Sequence, residues 1–211
     1  MTAGEYDRNV FINCPFDAAY APIFEAIVFA VHDAGFRAKC ARERLDSSQV
    51  RLQKILGLIA ESRYSIHDLS RTALDEKSQL PRFNMPFELG IDVGCKEYSP
   101  KHKGKSFLIF ESEKYGFQKY ISDIAGQDIA KHSDDPLEAV KRVRDWLRTE
   151  SVRAEIPGGI AIYKHYESFR QDLPAICEGF KLDVNELTFV DFSAIVAMWL
   201  EKQALSPSPD R

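Results

Sequence analysis

NVFINCPFDAAYAPIFEAIVFAVHDAG, residues 9–35, changes its hydrophobic rhythm once. Asn9–Asn13 is a short apolar run, the pattern of a strand. From residue 17 to residue 34 the apolar side chains Ile23, Phe24, Ile27, Val28 and Val31 recur at helical spacing and make one buried stripe. Gly35 then offers a left-handed stop. A strand followed at once by a helix is the first half of a βαβ unit.

The alternation continues along the chain. Residues 36–40 read as a weaker strand at a sheet edge. Residues 47–62 form a helix with Leu52, Ile55, Leu56 and Ile59 on one face and Ser47 or Ser48 as its cap. Residues 63–69, RYSIHDL, are a third strand, and the polar stretch 70–81 is a surface loop. Asn84 can cap a helix that runs to about Lys96, with Pro86 in its first turn, where a missing N–H costs nothing. Residues 105–111, around FLIF, make a fourth strand. A short helix near 118–125 and a short strand near 128–131 follow. Asp135 and Pro136 then open a helix through Thr149, with Leu137, Val140, Val143 and Leu147 on its apolar face.

Strands linked by crossover helices predict an α/β, doubly wound parallel sheet of four or five strands. The simplest order is 2-1-3-4-5, flavodoxin-like. Residues 1–155 form this domain. IPGG, residues 156–159, reads as a hinge into a helical appendage, 156–205. There Pro174 can open a new helix, and Asp183 with Glu186 fits a capping box. The appendage is expected to pack on the sheet domain or on a second subunit, which makes a homo-oligomer through these helices one possible assembly. The tail 206–211, SPSPDR, is expected to be disordered.

Composition narrows the class. The 211 residues carry a net charge of −4, without the basic stripe of a nucleic-acid binder. Lys101–Lys105, KHKGK, is too short to supply one and reads as a solvated loop. No run of about 18 apolar residues suggests a membrane span, and the polar MTAGEYDRN start has no apolar signal core. The expectation is a cytoplasmic protein with no membrane or nucleic-acid partner. The four cysteines lack CxxC pairing and read as reduced, mostly buried residues. The five histidines are scattered singly, so no metal spacing is visible.

An open α/β sheet binds ligands beyond the carboxyl ends of its strands, at the switch between strands one and three. The end of strand one offers Asn13, Pro15, Phe16, Asp17 and Tyr20. Strand three offers His67, Asp68, Ser70 and Arg71; the next helix offers Arg82, Asn84 and Glu88; strand four offers Glu111 and Tyr115. Glu88, in NMPFELG, is placed in a first helical turn, where the helix dipole favours an ionised carboxylate. Such a carboxylate suits nucleophilic attack on an anomeric carbon, or stabilisation of an oxocarbenium ion. It is equally a good first-turn residue on a solvated face. Pro86 and Phe87 argue for a tucked-in turn, and Gly90 for close helix–strand approach.

Asp68 can bind a sugar hydroxyl or pass a proton to a departing base, or merely brace its loop. His67 reads as a core or rim histidine, and Asp17 as a plain helix cap. Asn13 and Tyr20 can hydrogen-bond a substrate, or else end the strand and pack. Arg42 and Arg44 read as a solvated loop near the rim. The segment YISDIAGQD, residues 120–128, has no chemical account. No GxGxxG, GxxxxGK[ST] or GxSxG motif is present.

VFINCPFD, SRYSIHDLS and NMPFELGIDVG together resemble the nucleoside 2-deoxyribosyltransferase-like and TIR-like nucleotide-binding families. The shared pattern is a strand ending in a small-Pro-Phe turn, an apolar strand ending in Asp, and an aromatic-Glu-Leu-Gly helix start. It covers residues 8–110. The whole chain is also similar to a family of bacterial proteins that carry these segments.

The resemblance implies that Glu88 attacks the anomeric carbon, that Asp68 assists at the base or sugar, and that Phe16, with the turn from Cys14, lines the pocket. Asn13-Cys14 stands where deoxyribosyltransferases carry Gly or Ala before the proline, and Pro81-Arg82-Phe83-Asn84 stands where they carry an Asp-x-Gly loop. The loop form is nearer the TIR-like group, which implies NAD or a related nucleotide as ligand and a role in bacterial defence. The expected activity is hydrolysis or transfer of an N-glycosidic bond in a nucleoside or NAD-like dinucleotide, with NAD as substrate and no separate cofactor. A non-catalytic nucleotide-binding module and a self-assembling scaffold are the alternatives.

Overall fold

The computed structural model of the protein describes residues 3–43, 46–71, 83–112, 121–124 and 126–205. Five parallel strands run β1 Asn9–Asn13, β2 Arg37–Cys40, β3 Tyr64–Asp68, β4 Ser106–Glu111 and β5 Ala130–Lys131, in the order β2-β1-β3-β4-β5. This is the expected doubly wound α/β sheet. The seven α-helices are α1 Ala3–Tyr6, α2 Ala21–Asp33, α3 Arg51–Ala60, α4 Asn84–Tyr98, α5 Pro136–Ser151, α6 Gly159–Phe180 and α7 Phe189–Leu205.

The pleat assigns the two faces. Val10, Ile12, Ile66, Leu108 and Phe110 share one core with α2 and α5. The alternate residues Phe11 and Ile109 turn the other way, onto Ile55, Leu58 and Ile59 of α3 and Met85 and Leu89 of α4. Register pairs Ile12 with Ile66, and Ile66 with Leu108. The carboxyl ends of β1 and β3 therefore stand side by side.

α2 carries more burial than a single stripe. Every residue from Ala26 to Val31 is buried. A helix apolar on all sides needs cover on all sides, and α6 and α7 provide it. Phe29 of α2 lies 5.3 Å from Phe169, 5.5 Å from Tyr166 and 6.0 Å from Trp199, centroid to centroid. The C-terminal helices are a third layer on the sheet domain, sharing its core. Gly35 ends α2 at φ +81°, as its position predicted.

Several local expectations are corrected. Val50 precedes α3 with no side-chain cap, so neither Ser47 nor Ser48 performs that role. Asn84 is the first residue of α4; Phe83 precedes it, and no side chain caps the helix. Pro174 lies inside α6 and opens no new helix, because Phe169, Leu173 and Cys177 form one buried stripe across it and packing outweighs the missing hydrogen bond.

The IPGG turn is no free hinge. Arg144 donates to the Pro157 carbonyl at 2.7 Å, and a Cβ at Gly159 would meet the Lys141 Cα at 3.1 Å. The reciprocal capping box belongs to Thr188 and Asp191, whose side chains each accept the other's backbone N–H, at 3.1 and 3.2 Å. Asp183 instead caps the short turn Val184–Glu186.

Of KHKGK, Lys105 and His102 are buried. Arg44, Arg82, Tyr115, most of the 70–81 loop, part of the 118–125 segment and the 206–211 tail lie outside the described residues. The four cysteines are unpaired, three of them buried. Among the described residues, no helix is long and apolar enough to cross a membrane.

Candidate functional site

β1 ends at Asn13, and Cys14, Pro15 and Phe16 carry the chain over the sheet's rim. α4 comes up beside it from the other face. Between them lies a cleft of about 330 Å³, lined by Asn13, Cys14, Pro15, Phe16, Asn84 and Glu88, with Ile12, Ala41, Arg51 and Met85 completing it. It sits beyond the carboxyl ends of the strands, where an open α/β sheet binds ligands. The structure thus brings Asn13, Pro15, Phe16, Asn84 and Glu88 together.

Glu88 is 5% exposed. Burial pushes its carboxyl up to about 7, and the nearby Arg51 guanidinium only partly opposes this. The helix-dipole expectation is therefore corrected. α4 starts at Asn84, so Glu88 opens the second turn, beyond the free N–H groups, and desolvation decides its charge. Neither Phe87 nor Gly90 is what tucks this turn in. Phe87 faces outward, 58% exposed, and a Cβ at Gly90 would meet nothing within 4 Å, so no close strand approach requires that glycine. Glu88 is tucked in by its own position on the helix.

Asp68 ends β3 with its side chain on the α2 and α5 face. It is wholly buried and does not line the cleft. Tyr20 donates its hydroxyl to Oδ2, His132 Nε2 lies 2.9 Å from the same oxygen, and the Ser70 backbone N–H reaches Oδ1 at 2.8 Å. Burial would raise this carboxyl, but His132, Ser70 and Tyr20 outweigh it and hold Asp68 below the ordinary range. Tyr20 is consumed by this contact; its burial and Asp68 push its hydroxyl well up. Asp17 stays outside the cleft too, its side chain accepting the Tyr20 N–H at 3.1 Å and bracing the turn into α2 rather than capping the helix itself.

Cys14 lies between the two acids. Burial raises its thiol most, and Asp68 and then Glu88 add to it, so it stays neutral. The rim is ordered by Arg42, whose guanidinium lies 4.4 Å over the Phe16 ring and donates to the Phe16 carbonyl at 3.0 Å. Arg42 is thus a fixed part of the rim, not a free solvated side chain.

Beneath the cleft runs a buried polar chain. Asn13 Nδ2 lies 3.0 Å from His67 Nδ1, His67 Nε2 lies 3.1 Å from Asp92, and Lys105 Nζ lies 3.1 Å from the other Asp92 oxygen. His67 is a core histidine, as expected. Asp92, Lys105, Arg51 and His132 are the residues that sequence reasoning missed. Asp92 had a findable signal, an acid four residues after Glu88 on the same helix face. The others are brought in by tertiary packing.

A larger groove, about 590 Å³, lies between the edge strand β2 and α7. Lys39 pairs there with Glu43 at 2.6 Å, and Arg8, His32, Arg37 and Glu201 also line it. Among the described residues no cluster of three or more His, Cys, Asp or Glu side chains is placed to hold a metal ion. No protein-family model matches the chain, and no curated protein matches it.

Proposed function

We propose that the protein hydrolyses or transfers an N-glycosidic bond in a nucleoside or a nucleotide such as NAD, with Glu88 as the reacting carboxylate. The observation that carries this reading is a buried carboxyl in the wall of a cleft at the switch between β1 and β3. The cleft's volume suits a nucleoside-sized moiety. Near neutral pH a carboxyl at about 7 is ionised in a large share of molecules. The ionised form attacks C1′, a C–O bond forms, and the C–N bond breaks with its electron pair leaving on the base. Water or a second base then displaces Glu88 from C1′ and restores the carboxylate. Asp68 anchors the rim through Tyr20 and His132 in this account and does not touch substrate.

The test is incubation with a panel of nucleosides and NAD, followed by mass analysis of the released base. Glu88→Gln should keep its fold and lose turnover by about 10²–10⁴-fold. Base release that persists unchanged in that variant, or no release from any substrate, would remove the proposal.

A second reading has its own support: among the described residues the cleft presents one carboxyl group, with Asp68 closed off beneath the rim. A module that binds a nucleotide without cleaving it needs no more. Thermal stabilisation by NAD, ADP-ribose or nucleosides without any product would favour it. Self-association through the outer helical layer is the third reading. Phe180, Leu182 and Met198 are exposed there around a hollow of about 300 Å³, and sedimentation over a range of concentrations tests it.

A further inference from the structure

We propose that Asn13 selects the cleft's ligand by accepting a hydrogen bond from a sugar hydroxyl, its amide held in one orientation by the buried chain Lys105–Asp92–His67. The proposal deepens the reading of the cleft as a nucleoside site and rests on it.

The orientation follows from hydrogen-bond logic. Met85 contributes a backbone carbonyl 2.9 Å from one terminal atom of the Asn13 side chain. A carbonyl has no proton to give, so that atom is the amide nitrogen. The same nitrogen lies 3.0 Å from His67 Nδ1. Its second hydrogen points there, so Nδ1 is a bare acceptor. The neutral ring then carries its proton on Nε2 and donates to Asp92 Oδ2 at 3.1 Å.

Asp92 is fixed in turn by Lys105, 3.1 Å from its other oxygen. The Lys105 ammonium also donates to the carbonyls of Ile59, at 2.8 Å, and Ser62. His67 and Asp92 are wholly buried and Lys105 nearly so. Reversing the amide would set its oxygen against the Met85 carbonyl and remove the donor to His67 Nδ1.

Asn13 thus commits both amide hydrogens to the protein. Among the described residues no group donates to its oxygen, although the side chain is only 4% exposed and belongs to the cleft wall. With both amide hydrogens committed, Asn13 can offer a cleft ligand only an acceptor, and a ligand that fills this point without a donor leaves that acceptor unmet. The cleft therefore favours a ligand that brings an O–H to this point and disfavours one that brings another acceptor. Pro15, Phe16 and Met85 give an apolar wall for a flat base. The polar floor of Asn13 and Glu88 is left for the sugar. Asn13 is the selecting residue, and His67 and Asp92 are positioning residues.

Glu88→Gln chain, in which nothing is turned over, is titrated calorimetrically with adenosine and its 2′-, 3′- and 5′-deoxy forms. One deoxy form should bind at least ~10-fold more weakly than adenosine. Adding Asn13→Ser should shrink that ratio to within about twofold, and adding His67→Phe should lower it towards the same value while the Lys105–Asp92 pair stays intact. A purely structural role for His67 would leave the ratio unmoved.

Should either variant fail to fold, the Asn13 side-chain carbonyl carbon is followed by NMR in the Glu88→Gln chain. It should shift on binding adenosine and not on binding the discriminated deoxy form. Equal binding of all four compounds, a ratio that survives Asn13→Ser, no shift, or no adenosine binding overturns the proposal. Hydroxyl selection without base release by the wild-type chain would remove the catalytic reading and leave this one standing. Base release with a flat hydroxyl profile would do the reverse.

Discussion

Asp68 and Glu88 both belong to the carboxyl-terminal rim of the sheet, and their surroundings drive them in opposite directions. Asp68 sits on the α2 and α5 side, wholly buried, with Tyr20, His132 and the Ser70 N–H around it. Glu88 sits on the α4 side, buried in the cleft wall, where only the charge of Arg51 opposes the effect of burial. Burial acts on both. Donors outweigh it at Asp68, and nothing comparable does so at Glu88. The lesson is that burial makes a carboxylate structural when its partners are complete and chemically responsive when they are not.

The hardest blow to this contrast is Asp68→Ala. It leaves His132 and Tyr20 without their buried acceptor and should lower stability by about 3–5 kcal/mol in urea unfolding. A loss under about 1 kcal/mol would break the comparison. The pH signature follows from a carboxyl whose folded value is depressed. Its contribution is present above its unfolded value, near ~4, and is lost as acid approaches the folded one.

Glu88→Gln should act with the opposite sign. A raised carboxyl binds its proton more tightly in the folded chain, so stability falls as pH rises from about 4.5 through 7. The variant lacks this slope. Matched near pH 5, it should exceed the wild type by roughly 2 kcal/mol at pH 8. Parallel curves for the two proteins would contradict the assignment.

The smallest effect sharpens the Asp68 side. Tyr20→Phe removes one hydrogen bond to a buried carboxylate and should cost about 1.5 kcal/mol, with Glu88 chemistry unaffected. A variant that also loses base release would join the two acids into one site.

The sheet was legible because its signals are local. NVFIN, RYSIHDL and FLIF are apolar runs set between helical stripes, and strand order follows from crossover handedness. The location of the cleft was legible for the same reason. The division of labour between its acids was not. A strand's pleat sends Asp68 to the face opposite α4, and His132 reaches it from 64 residues further along the chain. Helix starts misled at Asn84, where a capping residue type sits one place inside the helix, and with it at Glu88. Pro174 misled because a buried apolar stripe outweighs a local breaker. Lys105 looked like part of a solvated basic loop. Only the assembled structure shows the carbonyls of Ile59 and Ser62 and the Asp92 carboxylate around it.

Carbon-detected NMR titration of the Glu88 and Asp68 carboxyl carbons, in one sample from pH 8 to pH 4, tests the contrast most directly. The account predicts a Glu88 midpoint at about 7 and an Asp68 resonance that has not reached its midpoint by pH 4. A Glu88 midpoint at the ordinary 4.5, or an Asp68 that titrates above it, would contradict the account.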